Sequence, residues 1–308
     1  MIAIIGTNGF IGKALAERFA GKGIHTLSIP SSSKGLVPLD GDCKWLAWML
    51  NGVDTVYLCA GRTGGVGRMK NDPLSFVLPN VRIVMNVFEA AQAAGVRRVV
   101  CSQSITGYPD TPEPVKEDQY HEDPLHPAYF VPGNTWRFVD HLSKMFDMEF
   151  VFVRPSNVYG PGNDFDPQTS HVIEATIRKI YERQDPMVIW GNGEETRDPT
   201  YIDDLAEAMT MCGDCEPGAY NIGTGQSVSV NDIIKILCDY TDFHPELIYD
   251  ETKPSAIATR YLNCDKVSTI GWKPDISIEE GLQATYDFYQ ESQEDQGAEP
   301  IRGASGLL

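Results

Sequence analysis

The 308-residue chain has no apolar run of roughly 18 residues, so no membrane-spanning helix is expected. It is poor in positive charge. Lys and Arg number 25 against 43 Asp and Glu, a formal net charge of −18. So acidic a surface argues against nucleic acid and anionic membrane as partners. An anionic ligand would need local arginines working against the global field. Cysteine is sparse, and its seven copies are scattered. An odd, dispersed set fits reduced thiols in a cytoplasmic protein. Cys212-Gly213-Asp214-Cys215 is a lone CxxC with no second pair and no nearby His pair. It reads as two ordinary thiols beside a loop, and no metal site is expected. The N-terminus shows no charged and apolar leader of the signal-peptide kind. Internal repeats are also lacking. A hydrophobic content of 42% still supplies a large core, in one large domain or two unequal ones.

What is present begins at residue 2. Ile2-Ala3-Ile4-Ile5 has strand length and ends at Gly6. Gly9 and Gly12 follow at three-residue spacing, with Asn8, Phe10 and Ile11 between them, and a helical pattern runs on from Lys13. In a strand–turn–helix, Gly6 allows the tight turn and Gly9 admits a dinucleotide pyrophosphate to the backbone. Gly12 lets helix and strand pack closely. Free N–H groups at the helix start then meet the phosphates. A glycine-rich turn without ligand is the plainer alternative.

Strand patterns at 2–5, 24–29, 54–59, 97–102 and 149–153 alternate with helical ones, clearest at 80–95 and 134–146. Repeated βα units predict an α/β fold, a Rossmann-type doubly wound parallel sheet over residues 1–155. After Pro155 the rhythm changes. Helical patterns at 170–183, 203–211, 229–241 and 279–291, separated by Gly, Pro and Asp, predict a smaller C-terminal substrate-binding lobe over 156–292. The chain should leave this lobe and return to it. Residues 293–308 read as a polar tail that frays from Glu291 on.

These segments together resemble the extended short-chain dehydrogenase/reductase family over nearly the whole chain. The resemblance rests on Gly6 to Gly12, Asp54 to Ala60, Arg154 to Pro161, Arg197 to Leu205 and Tyr220 to Gly223. Gly64 to Gly67, Tyr108-Pro109, Ser170 to Ile173 and Val188 to Gly193 are similar to the GDP-fucose synthase and GDP-mannose epimerase branch. The family's choice between NAD and NADP falls at the end of the second strand. Here Ile29-Pro30 is followed by Ser31-Ser32-Ser33-Lys34, with no carboxylate for ribose hydroxyls. Ser31, Ser32 and Lys34 suit a 2′-phosphate, so NADP is preferred over NAD. The resemblance further implies Asp40 near the adenine, and Ala60, Gly61 and Ser102 along the dinucleotide. It implies that Asn80 holds the adjoining loop; read alone, Asn80 is a helix N-cap.

For the substrate, the resemblance implies a nucleotide sugar whose diphosphate meets Asn157, Arg197 and Arg260, with Lys179 as a further candidate. Arginine forks suit phosphate oxygens, although a lone arginine reads more simply as a surface ion pair. Trp190 stacks on base or sugar, or else belongs to the core. The family's acid/base pair, a Tyr with a Lys four residues later, is missing. The one Tyr with Lys at that spacing, Tyr249 with Lys253, lies far along the chain from the segment Pro132 to Asp140 that should carry the pair. In the natural register Pro132 stands for the Tyr and Trp136 for the Lys. Neither can do that work. Ser104 matches the catalytic Ser/Thr, and Thr106 stands where the branch has a catalytic Cys. His171 matches the second acid/base group, and Tyr129 lies three residues before Pro132. Two readings follow. One is an NAD(P)-dependent nucleotide-sugar epimerase, dehydratase or reductase with an atypical acid/base set. The other is a catalytically silent protein that binds the same ligands as sensor or partner subunit. By analogy with the family, a homodimer through helices 80–95 and 134–146 is expected.

Overall fold

The computed structural model describes residues 1–31, 43–62, 72–167, 169–252 and 257–297. The first half alternates β1 (Ile2–Ile5), α1 (Phe10–Gly21), β2 (Thr26–Ile29), α2 (Lys44–Met49), β3 (Thr55–Leu58), α3 (Leu74–Ala93), β4 (Arg98–Ser102), α4 (Phe130–Ser143) and β5 (Glu149–Pro155). The second half holds β6 (Asn157–Tyr159), α5 (Val172–Tyr181), β7 (Met187–Trp190), β8 (Thr196–Arg197), β9 (Pro199–Tyr201), α6 (Ile202–Cys212) and β10 (Gly218–Ile222). After these come β11 (Val228–Ser229), α7 (Val230–Thr241), β12 (Leu247–Asp250), α8 (Asp265–Ser268) and α9 (Ile278–Gly297).

Six strands form one sheet in the order β2-β1-β3-β4-β5-β10, every pair parallel. Parallel strands need covered faces, and their apolar runs follow from that. One face packs Val84, Phe88 and Val139 from α3 and α4 against Val56, Val99 and Phe150. The other packs Leu15 and Phe19 from α1 and Leu205 and Met209 from α6 against Ile4, Tyr57 and Val151. The chain winds one way to β2 and the other way from β3, so β1 and β3 flank the topological switch point. A third core joins α5, α7 and α9 through Ile177, Ile180, Ile233, Leu237 and Leu282. It belongs to the second half, although β10 returns the chain to the main sheet beside β5.

Two boundaries differ from the sequence reading. The helix expected from residue 80 begins at Leu74, with Pro79 inside it, so Asn80 is an interior residue and not an N-cap. The segment expected to fray from Glu291 stays helical to Gly297, and the boundary expected at 293 falls within α9.

Close approach explains Gly12. A Cβ there would sit 2.1 Å from the Gly6 carbonyl oxygen, so helix and turn are in backbone contact. Each half has its own buried polar hub. Asp198, fully buried, accepts from the Thr224 amide and hydroxyl at 2.7 Å and from the Gly225 and Leu262 amides at 3.3 and 3.2 Å. Arg154, at the end of β5, is also buried. Its Nε donates to Gln103 Oε1 at 2.7 Å, and its other nitrogens to the Glu117 carbonyl at 3.0 Å and Asp140 Oδ1 at 3.2 Å. The guanidinium also lies 3.5 Å over the Tyr120 ring. Removing one partner of a buried ion pair strands the rest. Arg154→Met should therefore lower the unfolding free energy by about 3 kcal/mol. Urea denaturation followed by circular dichroism checks this; an unchanged midpoint would show that the hub carries no stability.

Candidate active site

A cavity of about 330 Å³ opens at the carboxyl ends of the central strands. Phe10 and Ile11 after β1, Ala60 and Gly61 after β3, Ser102 at the end of β4, and Ser156 and Asn157 after β5 all line it. This is where an open parallel sheet binds ligands.

The N-terminus of α1 is the first candidate feature. Gly9 occupies the N-cap position without a side-chain cap, and no acidic residue stands in the first turn. The terminal N–H groups and the helix dipole are thus available to an anion. A Cβ on Gly9 would meet only the Gly6 carbonyl oxygen, at 3.3 Å, so its other side is open. Gly6 has φ +104°, and a Cβ there would lie 2.7 Å from the Ala60 nitrogen. These features fit a dinucleotide diphosphate. Asn8 turns instead to β2: its amide donates to the Ser31 carbonyl at 3.1 Å, and its oxygen accepts from the Ser31 amide at 2.7 Å. Asn80 grips Arg62 in the same two-way manner, at 2.7 and 3.0 Å, and both line the cavity. Ser32, Lys34 and Asp40 lie outside the described residues, as does the Gly64–Gly67 segment.

Ser104, Thr106, Tyr129 and His171 converge on the same cavity. Ser104 and Thr106 flank Ile105 in a tight turn, their hydroxyls 2.9 Å apart. The Ser104 carbonyl accepts from the Tyr120 hydroxyl at 2.6 Å, which fixes the turn from behind. Pro132 and Trp136, one helical turn apart on α4, line the wall beside them. A Cβ on Gly133 would meet the Thr106 carbonyl oxygen at 2.5 Å, so α4 and the turn touch backbone to backbone. Tyr129 immediately precedes α4. Burial raises its pKa, and the nearby Arg197 and Arg260 guanidinium groups oppose that rise. His171 stands at the N-cap position of α5, reachable by solvent through the cleft. The surrounding walls strip part of its hydration and lower its pKa, against a weaker opposite pull from Asp164, which favours neutral imidazole.

Arg197 and Arg260 also reach the cavity. Arg260 is only 4% exposed, and its Nη1 has no hydrogen-bond partner. Arg197 donates to the carbonyls of Thr196 and Ile257, at 2.5 and 2.8 Å, with the Glu195 carboxylate in electrostatic reach. Among the described residues, no carboxylate forms an ion pair with either. Two of the substrate candidates are placed elsewhere. Lys179 Nζ donates to the Val188 carbonyl at 2.6 Å, tying α5 to β7, and does not line the cavity. Trp190 ends β7 with 56% of its surface exposed, and it too is absent from the cavity wall.

Among the lining residues not anticipated from sequence, one is an acid. Glu174, in the first turn of α5, is 1% exposed. Its Oε1 accepts from Asn163 Nδ2 at 2.5 Å, and its Oε2 has no partner. Burial drives its pKa from 4.5 to about 7; backbone and Asn163 hydrogen bonds lower it somewhat, and Asp164 raises it. A folded-state pKa raised in this way contributes stability that is complete below pH 4.5 and lost as pH rises through about 7. The loss amounts to about 3 kcal/mol. Glu174→Gln, neutral throughout, should show a smaller fall in thermal midpoint between about pH 5 and 8. Parallel midpoints for the two proteins across that range would contradict the burial argument.

A sequence model of the NAD dependent epimerase/dehydratase family matches residues 2–223. The chain belongs to that family. It is 27% identical over 304 residues to GDP-L-fucose synthase 1 of Arabidopsis thaliana, covering 94% of this chain and 92% of that one. The GDP-L-fucose synthetase of Naegleria fowleri, solved bound to NADP, superposes with a TM-score of 0.82 at 21% identity, over 95% of this chain and 93% of that one. The UDP-glucose 4-epimerase of Thermotoga maritima, solved with UDP-glucose, gives 0.81 at 21% identity, over 95% and 99%.

Proposed function

We propose that the protein is an NAD(P)-dependent enzyme acting on a nucleotide sugar through a transient keto sugar, as epimerase, dehydratase or reductase. The observation that carries this is the pair Arg197 and Arg260. In a chain of net charge −18, two arginines that form no ion pair with a carboxylate among the described residues, with Glu195 and Asp110 only in electrostatic reach, face the cavity that the glycine turn also borders. Such a pair suits a substrate diphosphate. The family relatives named for GDP-L-fucose synthesis and the neighbour solved with UDP-glucose support the substrate class.

The Gly9–Gly12 turn would hold the dinucleotide diphosphate, with Ala60, Gly61, Asn80 and Ser102 beside the rest. A bound nicotinamide dinucleotide supplies hydride exchange with a sugar carbon. The absence of a carboxylate at Ile29-Pro30-Ser31 and the NADP-bound relative support NADP over NAD. Ser104 positions the reacting sugar oxygen by hydrogen bond, with Thr106 beside it. Neutral His171 accepts a proton from the carbon next to a keto group, and Tyr129, in electrostatic reach of both arginines, is the phenol best placed to give one. Pro132 and Trp136 carry no proton chemistry, and they favour the silent binding protein as the second reading. The exposed Leu74, Leu78, Phe130 and Phe138 on α3 and α4 support a homodimer through those helices. No described helix is long and apolar enough to cross a membrane, and the dispersed free cysteines support a cytoplasmic setting.

The test is incubation with NADP or NAD and a panel of GDP-, UDP- and dTDP-sugars in deuterated water. Absorbance change at the nicotinamide band or deuterium in the sugar is expected. Tight binding with neither would establish the silent reading. Ser104→Ala should abolish turnover and leave cofactor affinity intact, as read by dinucleotide titration; undiminished turnover would remove Ser104 from the chemistry. Arg260→Met should weaken sugar-nucleotide binding by about a hundredfold, since a charge-assisted contact contributes about 1.5–3 kcal/mol. Calorimetry showing unchanged affinity would exclude Arg260 from the diphosphate site.

A further inference from the structure

The buried Glu174 carboxyl has no structural task that accounts for it. Among the described residues it has no ion-pair partner; Arg178, one turn on, is directed to Glu182 at 3.3 Å. The charge that bears on it is Asp164, of the same sign. A carboxyl so placed costs stability unless a ligand completes it. Its hydrogen bonds also fix how it is protonated. Asn163 Nδ2 is a donor, so Oε1 must accept. In the neutral acid the proton therefore resides on Oε2, a buried oxygen without a partner, on a residue that lines the cavity.

We infer that Glu174 is a specificity-determining residue: a neutral carboxylic acid whose Oε2–H donates to an oxygen substituent on the sugar of the substrate. This rests on the nucleotide-sugar reading above. It places recognition of the diphosphate at Arg197 and Arg260 and recognition of the sugar at the first turn of α5. A site built around a buried donor discriminates strongly, because a sugar lacking the matching oxygen leaves that donor unsatisfied. The two tasks are separable, since the arginines also serve a bare nucleoside diphosphate and Glu174 does not.

Calorimetry on the intact protein tests the separation. Wild type, Glu174→Leu and Glu174→Gln are titrated with GDP-mannose, UDP-glucose and dTDP-glucose, and with GDP, UDP and dTDP. Glu174→Leu should bind the preferred sugar nucleotide about tenfold more weakly and the matching nucleoside diphosphate equally well. Its thermal midpoint at pH 8 should rise, because an unpartnered buried carboxyl has been replaced by a hydrocarbon. Glu174→Gln should retain most of the sugar affinity, since its amide oxygen accepts from Asn163 and its NH₂ takes the place of the Oε2–H donor. Equal loss of sugar nucleotide and nucleoside diphosphate would overturn the inference, as would a lowered midpoint in Glu174→Leu, which marks a structural role. Unchanged sugar affinity in Glu174→Leu would overturn it while leaving the nucleotide-sugar reading intact. Failure of wild type to bind any of the six would overturn both.

Discussion

The site depends on one buried cation. Arg154 stands where β5 ends, and its contacts radiate to Gln103 behind β4, Asp140 on α4, the Glu117 carbonyl and the Tyr120 ring. Two of these partners brace the cavity wall. Gln103 in turn donates to the Trp136 carbonyl at 3.2 Å, and Tyr120 holds the Ser104 carbonyl. A guanidinium suits this position because its planar fork donates in several fixed directions at once and stays charged when buried. The Ser104–Thr106 turn, the helix beside it and the strand leading to Asn157 are thereby set in one frame. Asp198 does the converse with a single anion: it gathers three amides and a hydroxyl, and the residues beside it on the chain lead directly to Arg197 and, through Leu262, to Arg260.

The cavity is chemically divided. Its cationic part is Arg197 and Arg260, with Tyr129 in electrostatic reach of both. Its acidic part is Glu174, with His171 at the start of the same helix. The remaining wall, where the family's Tyr and Lys would stand, is Pro132 and Trp136. Two groups here are shifted by burial: the His171 imidazole is favoured in its neutral form, and the Glu174 carboxyl is moved to about 7, which keeps a share of it protonated near neutral pH.

Much of the scaffold was legible in the sequence because its constraints are local. The spacing of Gly6, Gly9 and Gly12 dictates a turn whatever surrounds it, and apolar runs of strand length between helical patterns dictate a covered parallel sheet. The misread boundaries have physical causes. Pro79 reads as a breaker, yet α3 continues through it because Val84, Val87 and Phe88 bury its core-facing side. Lys179 and Trp190 match in register, but register does not say which way a side chain points; the Val188 carbonyl captures the one, and solvent takes the other. Glu174 left no signal, since an acidic residue in a first helical turn ordinarily reads as a favourable surface charge on the helix dipole. Only the packing of α5 against the loop carrying Asn163 turns it into a buried acid.

The contact between Gly133 and Thr106 bears on evolutionary history. It fixes the distance between α4 and the Ser104–Thr106 turn through backbone alone, independent of what Pro132 and Trp136 carry. Pro132 lies in the first turn of α4, where an amide hydrogen has no partner within the helix, so the proline removes nothing that the fold needs. The scaffold is thus indifferent to which side chains stand at 132 and 136. A lineage could exchange one proton-transfer apparatus for another here, in either direction, without first dismantling the architecture that holds it.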